Sequence, residues 1–318
     1  MHRARLLAIA ALASICLPQS DIHAQTTPHS NSSSGASSPL WGDLAPGPHR
    51  VGFRVIKLRD ATRSYNATAE RMTDRGYPLV LSYWYPSRAR SGSPMTFRDY
   101  QVTGRIDDRL EDPTREEIAA GDLDLKGFYE RPFNFPFGAI DDATWARLGP
   151  TPLMAVANAT PTSGRFPLVV GVGGAGGNQA LGEYLASHGY VVALMGSPAN
   201  VELNQVSRME WYVRDLEFAL AKMREQPMVD PGPVATWGFS FAGMPALLAS
   251  MRSPEIAAVV SLESAIFYPN FAPQMTGNPF YSPTAVRVPF LHMFRAEESQ
   301  PNEQLAGLSR STSSRAAA

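Results

Sequence analysis

Cysteine is almost missing from this chain: its 318 residues contain one, Cys16. That residue lies in an apolar stretch near the start. The chain beyond it therefore has no thiol nucleophile, no disulfide and no cysteine-based metal site. Charge is scarce and balanced. Charged residues make up 18% and the formal net charge is -1, which removes any electrostatic case for a nucleic acid or an anionic membrane as partner. The apolar run at residues 6–15 is too short to span a bilayer. Arg3 and Arg5 precede it, and Ile22, His23 and Ala24 offer a cleavage site, so residues 1–24 read as a secretory signal. Ile15, directly before Cys16, is too bulky for a lipoprotein signal. The expected location is secreted or periplasmic, with no integral membrane segment once the signal is removed.

What is present describes a globular protein. Hydrophobic residues reach 44%, enough for a large core. Residues 25–45 are rich in Ser and Thr near their start, lack a hydrophobic period and read as a flexible linker. The stretches 49–58 and 77–85 are β-rich and predict two opening antiparallel strands. Residues 88–162 are polar and broken by prolines, with helical stretches around 113–120 and 141–148. They read as a cap-like insertion, whose aromatics Phe128, Tyr129, Phe133, Phe135 and Phe137 suit a small core of its own better than an acyl pocket. From Phe166 onward, strands alternate with helices. Strands are expected at 167–172, 190–195, 234–237, 257–262 and 288–294, and helices at 178–188, 207–226 and 241–251. Asn178 stands where a helix cap would and Gly189 where the helix stops. Met209, Val213, Leu216, Leu220 and Met223 recur at helical spacing, and Pro227 ends that helix. The expected fold is α/β, a mostly parallel sheet with helices on both faces, spanning residues 46–294. Residues 295–318 read as a disordered low-complexity tail.

Two loops carry the chemistry. The stretch 234–243, VATWGFSFAG, is a short apolar run, a Gly-x-Ser-x-Ala turn and a helical pattern. That is the context of a nucleophile elbow: the turn needs small residues at Gly238 and Ala242, and it lifts the Ser240 hydroxyl above the sheet. The strand at 167–172 runs into Gly171, Gly173, Gly174, Gly176 and Gly177. One reading is the dinucleotide fingerprint G-x-G-x-x-G, but that needs a carboxylate about 20 residues on. Leu194, Met195, Gly196 and Ser197 stand there instead. The other reading is half of an oxyanion hole, the second amide coming from the residue after the serine. No cofactor and no metal is expected.

On these residues the chain resembles the α/β-hydrolases, and within them the secreted platelet-activating-factor acetylhydrolase-like and dienelactone-hydrolase-like esterases. The opening GPHRVGFRVIKLRD with YPLVLSYWYPS, the loop VVGVGGAGG, LASHGYVV, GFSFAG and VVSLES carry the likeness. The resemblance implies a serine hydrolase cleaving lipid or small acyl esters, with Ser240 as nucleophile. It further implies Glu263 as acid, with Glu297 or Glu298 as the alternative, and the amides of Ala175 and Phe241 as oxyanion donors. Three positions depart from the pattern: Phe239 and Gly173 replace histidines, and Ala242 replaces a glycine.

The mechanism also requires a histidine base after the acid. Only His292 follows Glu263, and it lies in an apolar run that reads as core; His188 falls on the Leu181 and Leu185 stripe of its helix. Activity is therefore expected to be impaired. A further helix and strand are expected beyond residue 294, so the C-terminus reads as truncated. Two other classes stay open: a non-catalytic binding protein of the same fold, and a dinucleotide-binding oxidoreductase.

Overall fold

A computed structural model describes residues 38–293, except 64, 67–71, 74–75, 89–90, 131–138, 198–204, 265 and 267–270. The signal, most of the linker, Phe133, Phe135, Phe137, Glu297, Glu298 and the tail lie outside the described residues.

The two opening strands are present. β1 (Arg50–Asp60) pairs antiparallel with β4 (Tyr77–Ser87) along its whole length, from Arg50↔Ser87 to Asp60↔Tyr77. Between them, β2 (Tyr65–Asn66) and β3 (Met72–Thr73) make a small separate pair. Every residue of β4 is buried, because β4 is covered on both faces and flanked by a strand on each edge.

The insertion departs from expectation in three ways. Helix α1 (Phe97–Thr103) had no sequence forecast; a reciprocal cap between Thr96 and Asp99 starts it. Helix α2 (Arg115–Glu130) runs well past 113–120 and includes Phe128 and Tyr129, which lie beyond the expected helical stretch. Helix α3 (Asp142–Leu148) falls at the expected place, capped by Asp141. The segment then adds a strand to the main sheet: β5 (Val156–Ala157) lies parallel to β1 at the sheet edge.

The alternating region follows the forecast, with boundaries shifted by a residue or two and one short helix, Ala272–Thr276, that was not expected. It comprises β6 (Leu168–Val172), α4 (Gln179–Ser187), β7 (Val191–Gly196), α5 (Gln205–Arg224), β8 (Val234–Phe239), α6 (Gly243–Arg252), β9 (Ile256–Leu262), a short α7 (Ala272–Thr276) and β10 (Phe290–Met293). Sheet order is β10-β9-β8-β6-β7-β4-β1-β5, and β4 alone runs against the rest. The five apolar residues of the α5 stripe are all buried against the sheet. Asn178 corrects one expectation. It occupies the N-cap position of α4, but its side chain donates to the Gly174 carbonyl (2.9 Å) and caps nothing.

Two cores sandwich the sheet. Helices α5 and α6 pack on one face with Leu79, Leu81, Val170, Val172 and Val191. Helix α4 and the insertion pack on the other with Trp41, Phe53, Trp84, Tyr100 and Trp145. Glu183, fully buried on α4, ties this second layer together. Its Oε1 accepts from Tyr100 Oη (2.6 Å) and Ala155 N (2.8 Å), and its Oε2 from Trp41 Nε1 (3.1 Å) and Met154 N (2.9 Å). Burial pushes this carboxyl above its ordinary range, although all four donors favour the charged form.

Candidate active site

In a parallel sheet, the crevice forms where successive strands step off in opposite directions, at their carboxyl ends. Here β7 lies on one side of β6 and β8 on the other. The switch point is therefore between β6 and β8, and the two loops singled out in the sequence leave the ends of those two strands.

The β8 end is an elbow. Ser240–Ala242 form a single 3-10 turn before α6. Ser240 has φ 53°, a left-handed conformation that a serine adopts only when its surroundings hold it there. Its side chain is exposed. A Cβ on Gly238 would overlap the Ala242 carbonyl and the Gly243 amide nitrogen, so the turn closes only over glycine. Phe241 is half-buried and packs edge-on against Tyr212 of α5, with ring centroids 5.5 Å apart. Replacing Gly238 with alanine forces the elbow backbone apart. We expect a loss of about 2 kcal/mol, read by chemical denaturation, and an elbow that no longer holds Ser240. An unchanged unfolding midpoint would contradict the close fit.

The β6 end is a glycine loop that is tied down. Gly173 N donates to Met195 O (2.9 Å), Asn178 N donates to Ala175 O (3.1 Å), and Ala175 is fully buried in the insertion-side core. Gly171 lies within β6, and a Cβ there would meet Trp237 O at 2.6 Å. Packing thus accounts for this glycine without a bound phosphate.

Glu263 directly follows β9, the neighbour of β8. It too is left-handed, at φ 46°, and its amide donates to Met293 O (2.6 Å). Ser240, Phe241, Ala175 and Glu263 therefore stand at the carboxyl ends of three adjacent strands, β6, β8 and β9. Both strained non-glycine residues among them are the candidate nucleophile and the candidate acid.

The described histidines, His49, His188 and His292, lie elsewhere. Gly238, Ser261 and His292 share one register row across β8, β9 and β10. That row puts the His292 backbone about 10 Å from Gly238, at two strand spacings. The imidazole Nδ1 is 3.0 Å from Ser261 Oγ, and burial pulls the ring down to about 4. It is half-buried and hydrogen-bonded, as a structural histidine is. His188 is the C-cap of α4; its Nδ1 is 2.8 Å from Tyr184 O. His49 precedes β1 and packs on Phe166 (5.5 Å), and burial, then the nearby His188, lowers it. Both of these lie at the amino edge of the sheet, opposite the elbow.

A second charged group at the carboxyl edge was not foreseen. Arg63, just past β1, donates from Nε to Asp60 Oδ2 (2.6 Å) and from Nη1 to Asp215 Oδ1 (2.6 Å). It packs against the Tyr77 ring (4.4 Å) and the Trp211 ring (5.1 Å), which touch each other edge-on. Burial raises Asp215 to about 6. The only sequence signal was an acidic residue inside the apolar stripe of α5, one position before Leu216.

The sequence matches no protein-family model and no curated protein. Among solved structures it is similar to a ferulic acid esterase from Streptomyces cinnamoneus. The two are 21% identical with a TM-score of 0.54, over 84% of this chain and 71% of that one. A structure titled m3DLH is 14% identical with a TM-score of 0.40, over 82% and 78%, too distant to support an argument. Among the described residues, no helix is long and apolar enough to cross a membrane.

Proposed function

The chain has the α/β-hydrolase fold, and on that premise we propose that it is a secreted serine hydrolase acting on carboxylic esters of lipids or small acyl groups. Ser240 Oγ attacks the ester carbonyl carbon. The oxygen that becomes negative rests on the amides of Ala175 and Phe241. The carbonyl re-forms as the alcohol leaves with the serine proton, and water then hydrolyses the acyl-enzyme. Glu263 is the acid of the site. The observation that carries this reading is the strained, exposed Ser240 at the switch point, beside an anchored glycine loop.

A serine acting without its histidine loses about a factor of 10⁶ in kcat. With His49 and His188 at the far edge and His292 two strands away, turnover of p-nitrophenyl esters is expected to be very slow. Slow stoichiometric labelling of Ser240 by a fluorophosphonate is the expected result, abolished in Ser240→Ala. Fast turnover lost in that variant would mean that a base is present after all. The displaced histidines favour a second reading, a non-catalytic binding protein; a folded chain that takes no label at all would decide for it.

A further inference from the structure

Phe239, the residue before Ser240, is 49% exposed, at the end of a strand that is otherwise largely buried. Side chains alternate along a strand. Trp237 is buried in the insertion-side core and Gly238 faces α6, so Phe239 returns to the insertion side, above Trp237. Its register partner on β9 is Leu262, half-buried and packed against that same core. Ala175 of the glycine loop belongs to this core as well. Ser240 therefore has an apolar ledge, Phe239 and Leu262, on the side where the glycine loop lies.

We propose that this ledge seats the acyl chain of the ester, and that Phe239 makes the site select long apolar acyl groups over acetyl. The inference rests on the reading of Ser240 as nucleophile. An ester whose carbonyl oxygen meets the amides of Ala175 and Phe241 has its acyl carbon above Ser240, and its chain then has the exposed ring beside it. Covering half an aromatic ring with methylenes removes apolar surface from water on both partners, whereas a methyl group is too short to reach it. A polar residue at this position would leave a long chain with nothing to cover.

The test uses ethyl and octyl fluorophosphonates on the full chain. In each reaction the Oγ–P bond forms, the P–F bond breaks, fluoride leaves and the serine proton passes to water. The readout is the ratio of octyl to ethyl labelling rates at Ser240. Phe239→Ser is expected to lower that ratio about tenfold, equivalent to about two methylenes losing their contact. Phe239→Leu, still apolar, is expected to keep most of it. Because the side chain is exposed, both variants should fold, which circular dichroism checks. Labelling by both probes with a ratio unchanged in Phe239→Ser overturns the ledge and leaves the esterase reading standing. No labelling by either probe removes both.

Discussion

Glu183→Leu is expected to lower the unfolding free energy by ~4 kcal/mol or more, measured by urea denaturation. Four donors, three of them buried, lose their acceptor at once: the Trp41 indole, the Tyr100 hydroxyl and the amides of Met154 and Ala155. Each orphaned group costs about 1–3 kcal/mol, and a domain has only ~5–15 kcal/mol to lose. Leucine fills much of the space, so the deficit comes from hydrogen bonding and not from a cavity. Glu183→Gln separates the two causes. Each carboxylate oxygen accepts from two donors, so an amide oxygen serves one pair while its NH₂ confronts the other. An intermediate loss is expected. If Leu and Gln cost the same small amount, below ~1 kcal/mol, the carboxylate does not tie the layer together.

Arg63→Met should cost a similar amount, about 3–5 kcal/mol, because it leaves Asp60 and Asp215 buried without their cation. The effect carries a pH signature. Asp215 already stands near 6, against an ordinary 3.8, because of burial. A carboxyl raised in this way favours folding fully below 3.8 and loses that contribution as pH rises through about 6. Without Arg63 the ionised form is worse still. The stability deficit of Arg63→Met relative to wild type should therefore be smaller at pH 5 than at pH 8. A deficit independent of pH would show that lost packing on Tyr77 and Trp211 dominates instead of charge.

Neither residue could be singled out from the sequence, and the reason is separation along the chain. Glu183 meets Trp41 across 142 positions and Tyr100 across 83; Arg63 meets Asp215 across 152. No period or motif links such positions. The strand β5 escaped for a related reason: two residues have no period, and its place beside β1 depends on how the insertion folds back. Helix α2 was underestimated because most of it is exposed and a core covers it only in part; its one buried residue is Gly121.

The elbow was legible because its constraints are local. Gly238, Ser240 and Ala242 lie within five residues, and the clash that requires glycine is between near neighbours. The α5 stripe was legible because burial on one face imposes a period. Strain at Ser240 was legible with the elbow, whereas nothing in the letters says that Glu263 also adopts a left-handed conformation.

Local pattern therefore set the class of fold, the tight turn at Ser240 and the glycine loop, since each is written in neighbouring residues. Strand order, the joining of Ala175, Ser240 and Glu263 at one sheet edge, and the placing of His292 two strands away from Gly238 were decided by tertiary pairing. That pairing follows from which surfaces bury each other, and such surfaces are assembled from distant stretches of chain.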